Sequence, residues 1–378
     1  MASVYGLCKR VYTVLYPPAP TDPSSTPLKF GILGAAAIAP IAIVRPVKNH
    51  PDAVLYGVAA RDETRAAAFA KKWGVVKTYG SYQELLDDPE IDVVYNPLPN
   101  GLHYEWTMKA LAAGKHVLLE KPSADTAEET RKMFAFAEKK GLVLLEAFHY
   151  RFHPATQRVK EIVDSGELGQ IKSIESSLTI PSGLLKDDDI RLSYNLGGGA
   201  MMDMGCYTLS MTRYLAGADP VKILSASADT SSKFPRIDIG TSAKLAFSSQ
   251  TPDDDSQITA TIHANFRLPA RGPFGLIPAM PKMNVRAVGT EGEVKTYGKE
   301  GNSKGKTRTE KRYGEKGNGS WTTYRYQLEA FIDKVRGRTP QHWFDAADSI
   351  ANIEWIGRIY EETGLGIRPA SEAEVPSA

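Results

Sequence analysis

Lys121, Asp203 and Tyr207 are the residues of this 378-residue sequence whose types and surroundings point to chemistry. Lys121 lies in Glu120-Lys121-Pro122, directly after the apolar run Val117-Leu118-Leu119, and so at the end of a buried strand. Asp203 and Tyr207 belong to Gly197-Gly198-Gly199-Ala200-Met201-Met202-Asp203-Met204-Gly205-Cys206-Tyr207. They are four residues apart, and a helix opened by the glycine run sets them on one face. An alcohol that loses hydride must also lose its hydroxyl proton. A phenol with a pKa near ~10 is a poor base at neutral pH unless something favours its phenolate. The Lys121 ammonium can do that, or hydrogen-bond the substrate oxygen itself, while Asp203 orients the lysine or the substrate. Taken singly, Lys121 reads as a surface lysine and Tyr207 as a core tyrosine. Together, at a strand end and after three glycines, they read as a proton-transfer site for hydride chemistry.

Hydride chemistry needs an acceptor, and the beginning of the chain suits a dinucleotide. Gly31-Ile32-Leu33-Gly34-Ala35-Ala36-Ala37-Ile38-Ala39 follows a strand and opens a helix. The usual glycine fingerprint is degraded, with alanines at Ala36 and Ala39. Gly34 can still make the tight turn, and Ala36, Ala37 and Ile38 then face a pyrophosphate at the helix start. A plain strand-helix packing turn has the same composition. After the second strand comes Ala59-Ala60-Arg61, with Arg65 one turn on. Two guanidinium groups suit a 2′-phosphate, so NADP is expected over NAD, with NAD still possible. Asp62 either competes for the ribose, pairs with Arg61 or caps the next helix. Asn96-Pro97-Leu98-Pro99-Asn100-Gly101-Leu102-His103 ends another strand on the ligand side of the sheet. Asn96, Pro97, Pro99 and Asn100 are therefore expected at the cofactor, with Glu120 and Lys121. His103 either caps the following helix or contacts the cofactor.

The elements that must hold these groups alternate. Strands are expected at Phe30–Leu33, Ala53–Ala60, Asp92–Asn96, His116–Leu119 and Leu142–Ala147, with helices at Arg65–Trp73, Tyr82–Leu86, Tyr104–Ala113 and Thr126–Lys140. That alternation predicts a doubly wound parallel sheet over residues 28–150. From about residue 170 the pattern changes. Ile171–Ile180, Ile223–Thr230, Ala243–Phe247, Ile258–Phe266 and Met283–Val288 read as strands of a mainly antiparallel sheet. Helices at Pro154–Ser165, Ala200–Leu215 and Tyr324–Arg336 are expected to cover one face of it. The fold class is thus an α/β Rossmann domain followed by an α+β domain over 151–340. A final helix, Ala346–Thr363, and a tail over 341–378 return to the first domain.

Length and composition agree with two domains of an ordinary globular protein. Apolar residues make up 42% and charged residues 24%, enough for a large core without disulfide staples. The net charge of +2 favours neither nucleic acid nor an anionic membrane. Cys8 and Cys206 form no disulfide framework and no metal-ligand spacing, which suits a reducing compartment and a cytoplasmic protein. Residues 1–27 read as an extension, because Val11–Tyr16 is too short for a convincing signal peptide. Lys304–Lys316 reads as a solvated loop.

The sequence resembles the glucose-fructose oxidoreductase/inositol dehydrogenase (Gfo/Idh/MocA) family from about residue 28 to about 365. The resemblance is carried by Glu120-Lys121-Pro122, Pro99-Asn100-Gly101-Leu102-His103-Tyr104-Glu105, Glu146-Ala147-Phe148-His149-Tyr150-Arg151-Phe152-His153-Pro154 and the segment ending in Tyr207. Many members have histidine where this chain has Tyr207. Tyrosine is similar to the branch of dimeric dihydrodiol dehydrogenase and NADP-dependent D-xylose dehydrogenase. The resemblance implies a Rossmann domain joined to an open-faced sheet, dimerisation through that sheet, and catalytic roles for Lys121, Asp203 and Tyr207.

His149 and Arg151 follow the last Rossmann strand, at the junction where clefts commonly form, and are expected to bind a polyhydroxylated substrate. Arg151 and His153 could equally make structural hydrogen bonds. Trp321 and Tyr324 either line the cleft or cover the sheet, with the sheet expected, and Met201, Met204 and Met211 are expected to pack in the core. The substrate expected is a sugar or a cyclic diol. The rival reading is a cofactor-sensing regulator of the same fold, for which an aligned lysine and tyrosine would have no use.

Overall fold

The computed structural model describes residues 22–248, 257–270, 279–296, 310 and 321–376, together with Tyr12 and Tyr16. Most of the N-terminal extension, with Cys8, and the basic stretch Lys304–Lys316 apart from Glu310 lie outside the described residues.

Strands β1 (Leu28–Leu33), β2 (Ala53–Ala59), β3 (Lys77–Tyr79), β4 (Val93–Asn96), β5 (His116–Leu119) and β6 (Leu144–Glu146) form the first sheet. Their order is β3-β2-β1-β4-β5-β6 and every pairing is parallel. Successive residues alternate between two buried faces. Val93 and Tyr95 enter one core while Val94 enters the other, which is why these strands read as unbroken apolar runs. Between β1 and β2 a π-helical turn, Pro40–Val44, runs into α1 (Arg45–Lys48). The remaining helices are α2 (Glu63–Trp73), α3 (Tyr82–Asp87), α4 (His103–Ala112) and α5 (Ala127–Lys139). Ser81 caps α3, accepting from the Glu84 N–H, and Thr126 caps α5 in a capping box with Glu129. The sequence pattern missed β3, which is three residues long with Lys77 and Thr78 exposed, too short to show a period.

The second sheet contains β7 (Ile171–Pro181), β8 (Lys222–Asp229), β9 (Gly240–Ser248), β10 (Gln257–Leu268), β11 (Lys282–Gly289) and β12 (Glu293–Thr296), in the order β12-β11-β7-β10-β9-β8. All its pairings are antiparallel except β7 with β10. Along β10, Ile258, Ala260, Ile262, Ala264 and Phe266 are buried on one face, while Thr259, His263 and Asn265 are half-buried and Thr261 exposed on the other. The buried face packs on α7 (Cys206–Ala216), and α6 (Pro154–Asp164) lies against β12.

The helix expected over Tyr324–Arg336 forms as α8 (Thr323–Val335), but it does not cover the second sheet. It packs on α1, the π-helical turn and the turn His149–Phe152, with Phe331 against Phe30 at 6.5 Å between ring centres. The last helix, α9 (Ala346–Glu362), lies against α5 of the first sheet and against α7 and β8 of the second. One apolar core therefore runs from Phe30 and Tyr95 through Phe148 to Leu209 and Ile262, and joins the two halves.

Candidate active site

At the carboxyl ends of the parallel strands, the turns after β1, β4 and β5 meet the glycine segment before α7. Between them is an open cleft of about 750 Å³, solvent at its mouth included, at the position where open parallel sheets bind ligands. Ile38, Pro97, Leu98, Asn100, Glu120 and Lys121 form the wall from the first half of the chain. Ile190, Arg191, Gly197, Asp203, Tyr207 and Tyr324 form the facing wall.

Local structure explains why Asp203 and Tyr207 arrive together. Met201–Gly205 forms a π-helical turn that runs directly into α7, and both side chains open on the cleft. The glycines before it are required sterically. Gly199 holds φ +136°, and a Cβ there would lie 2.2 Å from Asp238 Oδ1 and 2.5 Å from the Tyr360 hydroxyl. Behind this segment Arg368, fully buried, donates to Gly198 O at 2.6 Å and pairs with Asp238 at 2.8 Å.

Lys121 Nζ donates to the main-chain oxygen of Asp203 at 2.8 Å and to its Oδ1 at 2.9 Å. Arg191 Nε donates to the other carboxylate oxygen, Oδ2, at 2.8 Å, and Arg191 also pairs with Asp189. Burial alone would push the Asp203 pKa up, but Lys121 and then Arg191 hold it down at about 2. Burial is the largest influence on the Lys121 ammonium and works against it, yet Asp203, Cys206 and Glu120 together keep the lysine pKa above its ordinary value. Lys121 Nζ lies 4.9 Å from the Tyr207 ring centre. Burial, followed by Tyr324 and Glu120, pushes the Tyr207 phenol well above its ordinary value. The free site therefore holds a charged lysine, a charged aspartate and a protonated tyrosine. The phenolate that the sequence reading invoked is not favoured here, because the ring is buried and Tyr324 and Glu120 lie beside it.

The Tyr207 ring is fixed edge-on against Phe148 at 5.6 Å and His149 at 5.8 Å. His149 stacks on Tyr324 at 3.9 Å, and its Nδ1 is 2.7 Å from Thr323 Oγ1. Burial and then the Lys121 charge push the His149 pKa down to about 3, so this imidazole is neutral. Glu120 is buried beneath the lysine and accepts from the Tyr95 hydroxyl at 2.7 Å.

Several residues expected at the ligand face elsewhere. Arg151 is buried against Asp348 at 2.9 Å and over the Tyr214 ring at 4.0 Å, away from the cleft. Its neighbour His153 caps α6 by accepting from the Ala155 N–H. The His103 ring nitrogens lie 2.8 Å from Pro122 O and 2.7 Å from Leu98 O, so this side chain ties the turns after β4 and β5 together. Asn96 is buried with its amide on Thr107 Oγ1 at 3.1 Å and supports the same turn. Pro99 leads into the turn Asn100–Leu102, whereas Asn100 does line the cleft and donates to Gly197 O at 2.9 Å. Two residues go the other way. Arg191 had no signal in the sequence beyond its charge, and Tyr324, expected to cover the sheet, lines the cleft because α8 packs on the first half.

The nucleotide end is open. Gly34 holds φ +87° after β1, a conformation that L side chains rarely adopt, and a Cβ there would press on Leu98 Cδ2 at 3.3 Å. The turn it makes leads through Ala36 and Ala37 to Ile38 in the cleft wall. Arg61 and Arg65 are exposed past the end of β2, and Asp62 accepts from the Thr64 and Arg65 N–H groups as the cap of α2. The donors and the glycine cradle fit a nicotinamide dinucleotide.

Residues 28–148 match the model of the oxidoreductase family with an NAD-binding Rossmann fold, and residues 156–295 match the GFO/IDH/MocA C-terminal domain. The chain is 36% identical to a D-xylose 1-dehydrogenase (NADP(+)) of Haloferax volcanii, over 90% of this chain and 99% of that one. It is 34% identical to the trans-1,2-dihydrobenzene-1,2-diol dehydrogenase of Mus musculus, over 53% of this chain and 59% of that one. The crystal structure of an aldose-aldose oxidoreductase from Caulobacter crescentus shares the fold, with a TM-score of 0.68 at 23% identity, over 89% of this chain and 98% of that one. The chain belongs to the GFO/IDH/MocA family of NAD-binding Rossmann-fold oxidoreductases.

Proposed function

We propose that this protein is an NADP-dependent dehydrogenase acting on a hydroxyl of an aldose such as D-xylose or glucose, or of a cyclic diol. The observation that carries the reading is the Lys121–Asp203 pair beside the Tyr207 ring, inside a cleft at the nucleotide-binding edge of the sheet. Similarity to the Haloferax xylose enzyme over nearly its whole length supports the sugar. The exposed pair Arg61 and Arg65 supports the 2′-phosphate of NADP, since Asp62 is engaged as a helix cap.

A bound nicotinamide ring supplies the hydride donor or acceptor. The chain's own groups handle the oxygen and its proton. Lys121 has three N–H donors and spends two on Asp203, so one remains for the substrate oxygen. An ammonium there stabilises the negative charge that develops on that oxygen. Tyr207 gives its proton to the oxygen when a carbonyl is reduced; for oxidation the phenol first releases its proton to water, and the resulting phenolate then takes the hydroxyl proton of the alcohol. Asp203 fixes the lysine and remains ionised throughout. Tyr324 lines the cleft beside Tyr207, and His149 packs on both rings and holds them in place.

We further place a homodimer contact on the second sheet and the protein in the cytoplasm, the first carried over from the family resemblance and the second from the sparse cysteines. Among the described residues no helix is long and apolar enough to cross a membrane. The test is NADP⁺ and NAD⁺ reduction over a panel of aldoses and cyclic diols. Turnover of at least one of them with NADP⁺ is expected. Nucleotide binding without any turnover would favour the regulator instead.

A further inference from the structure

Asp125 lies four residues beyond Lys121, in the loop that enters α5, and it is 5% exposed. Neither of its carboxyl oxygens has a hydrogen-bond partner among the described residues. Buried polar groups are nearly always partnered, because water is lost and nothing replaces it. This one sits where the two halves of the chain meet. A Cβ on Gly197 would lie 2.0 Å from Asp125 Oδ1, and a Cβ on Gly101 would lie 3.3 Å from Oδ2. The carboxyl group is thus pressed on the backbone of the glycine segment.

That segment is gripped at three other points. Asn100 donates to Gly197 O at 2.9 Å, and Arg368 donates to Gly198 O at 2.6 Å. Gly199 donates to Arg191 O at 2.9 Å and accepts from the Asp203 N–H at 3.0 Å. A shift of residues 197–199 therefore moves both the aspartate that holds Lys121 and the arginine on its other side. Arg368 has one nitrogen to spare, since Nη2 is on Asp238 while the buried Nη1 has no partner.

We propose that Asp125 is a positioning residue for the cleft: as the neutral acid it lets the glycine segment seat between Asn100 and Arg368, and as the carboxylate it draws Arg368 and unseats that segment. The groups that face it define the balance. Glu129, in the first turn of α5, opposes its ionisation, and Arg368, from the C-terminal segment, favours it. Tyr194 is the ionisable residue of the turn Tyr194–Leu196, and its hydroxyl is directed to Ile367 O at 3.2 Å. The turn Asn100–Leu102 contributes none. Burial first and Glu129 second push the Asp125 pKa up to about 8, with Arg368 working against them. In the unfolded chain the same group ionises near ~3.9, so the folded state loses stability as pH rises from about 4 to about 8, and the loss levels off above that.

The test uses the full chain in three forms: unaltered, Asp125→Asn and Asp125→Ala. Asparagine has the shape of the neutral acid and cannot ionise. Hydrogen exchange of the peptide spanning 193–203 is followed by mass spectrometry from pH 6 to pH 9.5, after correction for the intrinsic rate. The unaltered protein is expected to lose protection there as pH rises toward about 8, by up to about tenfold per unit, and to level off above it. Asp125→Asn is expected to stay protected across the range, and Asp125→Ala to be less protected at every pH. With the substrate found by the panel, kcat/KM should fall over the same range in the unaltered protein and hold in Asp125→Asn. Parallel exchange profiles in the unaltered and Asp125→Asn proteins would overturn the proposal, as would an asparagine variant as loose as the alanine one. The kinetic arm rests on the dehydrogenase reading. Absence of all turnover would count against that reading alone, because the exchange profiles still decide Asp125.

Discussion

Lys121 Nζ holds Asp203 by two atoms at once, the main-chain oxygen at 2.8 Å and Oδ1 at 2.9 Å. The first bond fixes the ammonium relative to the backbone of the π-helical turn, and the second neutralises it without consuming its last donor. Lysine comes from the strand end of the first half and aspartate from the segment before α7. The pair is therefore a clasp between the two halves, set in the wall of the cleft.

Lys121→Met should keep the apolar stem and remove the ammonium. Asp203 keeps Arg191 as a partner, so the fold should survive. Turnover should fall about a hundredfold or more, the usual cost of removing one positioned electrostatic group. Steady-state kinetics beside a thermal melt checks this, and a near-normal kcat would remove Lys121 from the reaction.

Tyr207→Phe should keep the ring packed against Phe148 and Tyr150 and leave NADP affinity unchanged. It removes only the hydroxyl. The loss should appear in kcat, by about a hundredfold or more, rather than in cofactor binding. Single-turnover measurement at saturating NADP⁺ separates the two. An unchanged rate would shift suspicion to His149.

Arg61→Ala should weaken NADP by about tenfold and NAD little, because only NADP has the 2′-phosphate. Arg61 also lies against the Tyr82 hydroxyl, so the melting temperature is recorded alongside the two dissociation constants. Equal losses for both nucleotides would show that this arginine does not read the phosphate.

Arg151→Met should behave as a stability variant rather than a substrate-binding one. The guanidinium is 7% exposed in its ion pair with Asp348. Breaking a buried pair costs about 3 kcal/mol or more. Arg213, at 2.6 Å from Asp348 Oδ1, softens that cost by keeping the carboxylate partnered. The expected result is a lower denaturation midpoint with KM for the substrate unchanged. A raised KM at unaltered stability would return Arg151 to the cleft.

Much of this protein was legible before any tertiary contact was known, and for local reasons. Unbroken apolar strands such as Val93–Asn96 and His116–Leu119 announce a sheet buried on both faces. The alternation of buried and open positions in β10 announces a sheet with unlike faces. Caps such as Ser81 and Thr126 mark helix starts through hydrogen bonds within a few residues. The four-residue step from Asp203 to Tyr207 survives in the cleft because the helical path through them is continuous.

What the sequence could not determine is where a side chain points once it leaves regular structure. Arg151 and His149 are two residues apart in one short turn, yet one is buried on Asp348 and the other stacks on Tyr324. His103 and Asn96 stand beside Pro97 and Asn100 in sequence but turn inward, because buried carbonyl and hydroxyl groups nearby need partners. Arg191 enters the cleft only because the chain between β7 and α7 folds back over Asp203. Tyr324 enters it only because α8 packs on the first half of the chain rather than the second sheet. Periodicity sets which face of a strand or helix is buried. The direction of a side chain on a turn, and the choice of the surface on which a helix docks, come from contacts between residues far apart in the chain, and only the tertiary structure decides them.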